Sequence, residues 1–318
     1  MNVIDRLIEN TMRTKNPSVI GLDPDLGKMP ACYKANTKSQ HPFEEVANAI
    51  VAFNYDVIDS VADLVPAVKP QMAFYEKYGS YGVWAFEKTA AYAKSKGLVV
   101  IADAKRNDIG STARAYAEGQ LGCAELLDGS ERPSFDADFL TVTPFLGSES
   151  LQPFVEVCQR NGKGIFLLVK TSNASSGEIQ DVVTADGRTV SQCIAAYAAE
   201  QAEVFAGRYG YSSIGAVVGA TYPEEAAVLR KIMPKNYFLV PGYGAQGGDA
   251  RDILPCFHDD GLGAVVNSSR GILYNHMSDA ERARCSRQEY LASVRKAALR
   301  MREDLYLALK NEYRQMIY

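Results

Sequence analysis

Two acids and two bases crowd the end of one apolar run. Residues 98–112 read LVVIADAKRNDIGST: five apolar or small residues lead directly into Asp103, Lys105, Arg106 and Asp108. Asp103 and Lys105 are two apart, so on an extended segment their side chains point the same way and set a carboxylate beside an ammonium. Buried ion pairs are often no better for stability than apolar packing, so a purely structural role explains this pair poorly. Proton transfer and stabilisation of developing charge are what such groups do well. Asp108 falls at the entrance of a helical pattern, where a helix N-cap would also account for it. Lys69 closes another apolar run, LVPAVKP, and its alternative is a snorkelling surface lysine.

A second group suits an anion. VPGYGAQGGDA, from Val240, supplies Pro241, Gln246 and the glycines 242, 244, 247 and 248; NSSRG, from Asn267, supplies Ser269 and Arg270. A glycine-rich loop exposes backbone N–H groups, and an arginine fork matches phosphate geometry. Ordinary turn glycines beside a surface arginine are the alternative.

These groups need a scaffold that gathers the ends of apolar runs. Eight such runs recur, at residues 18–23, 64–70, 98–105, 138–144, 164–172, 213–221, 237–244 and 263–271. They are apolar on both parities, as strands covered on both faces of a parallel sheet are. Helical patterns separate them; in residues 42–61, Val46, Ile50, Phe53, Val57 and Val61 recur at three- and four-residue steps. Eight strand–helix alternations predict an α/β fold, a closed (β/α)8 barrel of the TIM type, as one domain over residues 1–318. An N-terminal helix (Val3, Ile4, Leu7, Ile8 and Met12 on one side), extended loops after strands one and five (residues 24–41 and 173–190) and a long C-terminal helix are added to it. That last helix carries a stripe of Tyr290, Val294, Ala297, Met301, Leu305 and Leu309, which reads as a cover for the barrel rather than a partner-binding face. A doubly wound open sheet is the alternative, weakened because no G-x-G-x-x-G opens an early helix. In a barrel all strand ends share one mouth, which would bring Asp23, Lys69, Asp103, Lys105, Thr143, Ser172, Thr221, Gly242 and Arg270 together.

Composition narrows the class. A formal charge of −4 and a pI of about 5.6, with no basic run, argue against a nucleic-acid partner, so an anionic ligand would need a local cationic pocket. The six cysteines are scattered without a C-x-x-C pair, which predicts reduced thiols in a cytoplasmic protein rather than disulfides or zinc. The three histidines, His41, His258 and His276, show no metal-ligand spacing. No run approaches the roughly 20 apolar residues of a membrane span, and the mixed charges of the N-terminus do not read as a signal peptide.

The segment DAKRNDIGST resembles the D-x-K-x-x-D signature of the orotidine 5′-phosphate decarboxylases. GLDPD, AVKPQ, VKTSNAS, VPGYGAQGGD and NSSRG fall in that family's order at successive strand ends, over roughly residues 21–270, and the loop after strand one and the long tail are similar to its longer bacterial branch. Asn107 stands where other members carry glycine. The resemblance implies conversion of orotidine 5′-monophosphate to UMP and carbon dioxide, with no metal and no organic cofactor, by a homodimer. It implies Lys105 as proton donor to C6, Asp103 facing the substrate carboxylate, Lys69 completing the charge network and Asp108 reaching the neighbouring subunit's site with Ile109 and Thr112 nearby. It further implies Asp23 on ribose hydroxyls, Ser172 and Gln246 on the pyrimidine or toward the phosphate, Pro241 along the base, and Gly247, Ser269 and Arg270 at the phosphate. The rivals are a metal-dependent sugar-phosphate decarboxylase or epimerase on the same barrel, a Schiff-base aldolase using Lys105 or Lys170, and a catalytically silent nucleotide-binding protein.

Overall fold

The computed structural model describes residues 2–34, 39–244, 249–274, 277–313 and 315–318. Its strands are β1 (Ser18–Leu22), β2 (Ala67–Pro70), β3 (Val99–Arg106), β4 (Cys123–Glu125), β5 (Glu131–Pro133), β6 (Phe139–Val142), β7 (Gly164–Lys170), β8 (Ser212–Val218), β9 (Asn236–Val240) and β10 (Ala264–Ser268). Eight of them close a barrel in the order β1-β10-β9-β8-β7-β6-β3-β2, parallel at every seam. All eight expected runs become barrel strands. The antiparallel hairpin β4–β5 was not foreseen from sequence: its strands are three residues each and five of the six residues are exposed, so they carry no buried-strand pattern.

Alternate residues of the strands feed two apolar layers. One parity (Val19, Ala67, Val99, Ile101, Phe139, Phe166, Leu239 and Val265) fills the barrel interior, joined by Val3, Ile4, Leu7 and Ile8 of the helix Val3–Thr14. That helix therefore closes the floor, the end where the strands begin. The other parity meets the surrounding helices, among them Phe53, Phe86 and Phe154. Burying a large apolar side chain contributes about 1.5–3 kcal/mol, so these layers dominate the stability.

The helix stripes match expectation with small shifts. The C-terminal helix Arg287–Glu312 buries Tyr290, Val294, Ala298, Met301, Leu305 and Leu309; Ala298, four residues after Val294, takes the deep place expected for Ala297, which is partly buried. It covers the barrel against the helix Pro42–Val61, where Ala47 rather than Val46 is buried, and in the first helix Thr11 replaces Met12. Capping boxes start three helices, Thr189 with Gln192, Ser278 with Glu281 and Ser286 with Glu289. The loop after β1 forms a 3-10 turn at Ala31–Tyr33, and residues 35–38 lie outside the described set. The loop after β7, expected as an extended loop over residues 173–190, holds a 3-10 turn at Ala174–Ser176 and the one-turn helix Gly177–Gln180.

Candidate active site

The site begins at the end of β3, where regular extended backbone stops. Lys105 adopts left-handed backbone, φ 48°, and the β3–β6 register shifts between Ala102 and Arg106. A non-glycine residue held there costs roughly 1–2 kcal/mol and signals a backbone fixed by its surroundings. The expected pairing of Asp103 and Lys105 is present, but simple strand alternation is not its cause. The twist at Lys105 swings its ammonium back, so that Nζ lies 2.6 Å from Asp103 Oδ1.

Lys69, at the end of β2, approaches the other carboxylate oxygen: its Nζ is 2.5 Å from Asp103 Oδ2. Lys69 and Asp103 are 4% and 7% exposed, while the Lys105 side chain is half open to solvent. Burial pushes the Asp103 carboxyl up, but the Lys69 ammonium and then that of Lys105 outweigh it and hold the group well below the usual carboxylate range. Burial alone would lower Lys69; Asp103, and next Asp23, reverse this and its pKa is raised. Lys69 and Asp103 are thus both ionised at neutral pH.

Asp23, just past β1, behaves oppositely: burial raises its pKa more than Lys69 lowers it. Its Oδ1 is buried without a protein partner, as is Oδ1 of Asn267. Buried acceptors without partners are uncommon in folded proteins and mark places where a ligand hydroxyl or amide can bind. The corner carrying Asp23 is pinned from behind. The Tyr274 hydroxyl donates to the Asp23 carbonyl (3.0 Å) and accepts from the Asp25 N–H (2.9 Å), while Tyr75 donates to the Leu22 carbonyl (3.1 Å). A Cβ at Gly21 would fall 1.7 Å from the Ser269 hydroxyl, so only glycine lets β10 bring Ser269 against β1.

These groups line one cavity of about 420 Å³, which Lys69, Asp103, Asp23, Pro241, Ser269 and Arg270 share with Lys28, Gln71, Phe74, Gly242, Tyr243, Asn267 and Tyr274. One end holds the Lys69–Asp103 array; the other lies between the loops after β9 and β10, with Arg270 and the left-handed glycines 242 and 244 (φ 99° and 71°). Gln246, Gly247 and Gly248 lie outside the described residues. A ligand spanning the cavity would meet charge chemistry at one end and an anion-binding end at the other.

Five expected site residues lie outside this lining: Lys105, which meets it only through its ion pair with Asp103, and Asp108, Ile109, Thr112 and Ser172. Asp108, Ile109 and Thr112 do not line this cavity; Asp108 Oδ1 accepts the Ile109 N–H at 2.8 Å, and the helix Gly110–Leu121 begins without a side-chain cap, so the N-cap alternative does not hold. Ile109 is 51% exposed. Ser172 is also outside the lining, and so are Thr143 and Thr221 of the expected strand-end set. Lys170 is buried beneath the loop after β7, its Nζ 2.5 Å from Asp181 and 2.8 Å from Glu225. Burial opposes its charge, yet the two carboxylates raise its pKa, which is the wrong state for a Schiff-base nucleophile. Sequence reasoning passed over Lys28, Phe74, Asn267 and Tyr274. Only Asn267, inside the quoted NSSRG, had a local signal.

A family model for the orotidine 5′-phosphate decarboxylase / HUMPS family matches residues 48–284. The chain is 45% identical over 294 residues to the orotidine 5′-phosphate decarboxylase of Rhodopirellula baltica, covering 92% of this chain and 95% of that one. It is 38% identical to the enzyme of the same name from Caldicellulosiruptor bescii, covering 92% and 96%. Its structure is similar to that of Leishmania donovani OMP decarboxylase, with a TM-score of 0.70, 29% identity, and 98% and 100% of the two chains covered.

Proposed function

We infer that this chain, which belongs to the orotidine 5′-phosphate decarboxylase / HUMPS family, is a carboxy-lyase that converts orotidine 5′-monophosphate to UMP and carbon dioxide, the last step of UMP synthesis. The observation that carries the reading is the Lys69–Asp103 pair in a cavity whose other end suits a phosphate, with Lys105 bonded to Asp103 beside that cavity.

The C6–carboxylate bond breaks and its electron pair stays on C6. The Lys105 ammonium stabilises that charge as it develops and then gives its proton to C6. Its half-open side chain lets solvent restore the proton. Asp103 orients Lys105 and sets a negative charge beside the departing carboxylate, and Lys69 keeps Asp103 ionised. The unpartnered Asp23 Oδ1 accepts from ribose hydroxyls; Pro241 lies along the base; Ser269 and Arg270, with Gly247 and Gln246 of the adjoining loop, hold the phosphate. Ser172 contacts the pyrimidine or bridges toward the phosphate.

The active unit is a homodimer in the cytoplasm, and Asp108, with Ile109 and Thr112, serves the partner's site. The exposure of Ile109 and the absence of Asp108 from its own cavity support this. The metal-dependent rival fares worse on the donor set: the position that would need an acid carries Lys69, whose ammonium already occupies the space beside Asp103. Among the described residues, no helix is long and apolar enough to cross a membrane.

The test is direct. Purified, metal-stripped protein is mixed with orotidine 5′-monophosphate and the loss of orotidylate absorbance is followed. Multiple turnovers yielding UMP are expected; no loss of absorbance by folded protein would overturn the reading.

A further inference from the structure

The left-handed turn at Lys105 needs something to hold it, and β6 supplies it. Phe139 points into the barrel interior, so Thr141, two residues on, points the same way one layer nearer the mouth. Thr141 is 1% exposed. Its hydroxyl accepts the Lys105 backbone N–H at 3.0 Å and donates to Asp103 Oδ1 at 3.1 Å. An ionised carboxylate only accepts and an amide N–H only donates, so the direction of both bonds is fixed. One hydroxyl thus joins the backbone of one member of the array to the side chain of the other. Asp103 Oδ1 also receives Lys105 Nζ, so Thr141 closes a small ring: Lys105 N–H to Thr141, Thr141 to Asp103, Asp103 back to the Lys105 ammonium. β-Branching at Thr141 limits its rotamers and holds the hydroxyl in place.

We propose that Thr141 is a positioning residue for the decarboxylation: its hydroxyl fixes the left-handed Lys105 backbone and one oxygen of Asp103, so that the Lys105 ammonium is presented to the cavity in a single orientation. This rests on the decarboxylase reading above. Thr141 is buried and its hydroxyl is spent on the Lys105 N–H and Asp103 Oδ1, so it acts through those two residues and not on the substrate. A ligand's grip on Asp23 and Arg270, at the other positions, does not depend on it.

Thr141→Val keeps the shape and removes both bonds. Its kcat for orotidine 5′-monophosphate should fall roughly ten- to a hundredfold, the scale of a lost charge-assisted hydrogen bond, with the Kd for UMP within about threefold of the wild type. Thr141→Ser restores the hydroxyl and should recover most of kcat. A residue that merely supports the fold would move kcat, UMP binding and Tm together, and serine would not separate them. A readout independent of turnover is amide hydrogen exchange at Lys105, measured by NMR: protection should drop in Thr141→Val and persist in Thr141→Ser. If the wild type failed to turn over orotidylate while this exchange pattern held, the decarboxylase reading would fall and the positioning role would stand. The proposal is overturned by a Thr141→Val enzyme with kcat within about twofold of the wild type, by parallel losses of kcat and UMP affinity, or by unchanged protection at Lys105. If the valine protein is insoluble, Thr141→Ala is measured the same way; failure of both to fold would show that the hydroxyl serves the fold and would also overturn it.

Discussion

The barrel carries buried charge at both ends, and the two ends use it differently. At the floor, Asp138 lies between Arg6, Lys94 and Lys163 and accepts the Val100 N–H at 2.9 Å. Nearby, Arg230 donates to the carbonyls of Met233, Asn236, Cys256 and Gly263 at 2.7–2.8 Å while stacked 3.5 Å over Phe238. Burial pushes its pKa down to about 10, so it remains charged at neutral pH. At the mouth, Lys69, Asp103 and Lys105 pair with one another, but Asp23 and Asn267 keep unpartnered oxygens and Lys105 a strained backbone. The floor's cations end on backbone carbonyls and carboxylates that close the structure. The mouth leaves acceptors and an ammonium facing a cavity. Both ends keep unpartnered buried atoms, Arg230 Nε and Asn236 Oδ1 at the floor and Asp23 and Asn267 Oδ1 at the mouth, and what sets the mouth apart is that its own line a cavity beside the charged pair.

The sharpest way to break this contrast is Lys105→Ala. Turnover should fall by roughly 10³- to 10⁵-fold while Tm stays near the wild type and UMP still binds. In heavy water the wild type should place deuterium at C6. Near-normal turnover in the variant would mean that the mouth's charges are structural after all.

Next is the dimer. Lys105→Ala and Asp108→Ala are each expected to be inactive, and mixing them should restore up to about a quarter of the wild-type sites, the statistical share when one intact site forms per mixed dimer. Subunit exchange without recovery would confine Asp108 to its own chain.

A smaller effect is expected at the anion end. Arg270→Ala should lower kcat/KM for orotidine 5′-monophosphate at least about tenfold and hardly change the slow reaction of the phosphate-free nucleoside. An equal fall for both substrates would assign Arg270 to the array or the fold instead of the phosphate.

The floor should answer in the opposite currency. Arg230→Met removes a donor from four carbonyls, of which that of Gly263 keeps the Phe238 N–H, and should cost about 2–4 kcal/mol of stability, seen as a Tm lower by several degrees, with kcat unchanged. A fall in kcat without a fall in Tm would erase the distinction between the two ends.

The smallest effect concerns pH. The depressed pKa of Asp103 contributes stability that is complete above the ordinary carboxylate value near pH 4 and is lost only as pH falls below it. The raised pKa of Lys69 contributes stability that is complete below the ordinary lysine value near pH 10 and is lost as pH rises through the folded value. Between about pH 5 and pH 9 neither group should titrate, and urea midpoints should show no step that Asp103→Asn or Lys69→Met removes.

The strands were legible because burial on both faces writes itself as apolar runs on both parities, and Lys69, Asp103, Asp23 and Arg270 were legible because each ends such a run, whereas Pro241 and Ser269 rested on the family resemblance alone. What escaped has equally physical causes. Tyr274 and Tyr75 act through hydroxyls that pin a backbone corner, and a tyrosine in an apolar pattern looks the same whether or not its hydroxyl is used. Thr141 was hidden inside the run that ends at Thr143, which was singled out in its place. The alternation argument for Asp103 and Lys105 reached the right neighbours by the wrong geometry, since a single left-handed residue has no signature in residue type when that residue is lysine. The short, exposed hairpin β4–β5 left no buried-strand pattern at all.

The helix that seals the floor has a consequence for traffic. With Val3, Ile4, Leu7 and Ile8 driven into the barrel interior, that interior is filled and dry, and the well is blind. Substrate enters and both products leave by one door. On the proposed phosphate grip at Arg270, carbon dioxide, small and neutral, would leave past a nucleotide still held, and the nucleotide would leave only when that grip is released. A chain built this way orders its departures by size and charge, gas before nucleotide, without any second exit to regulate.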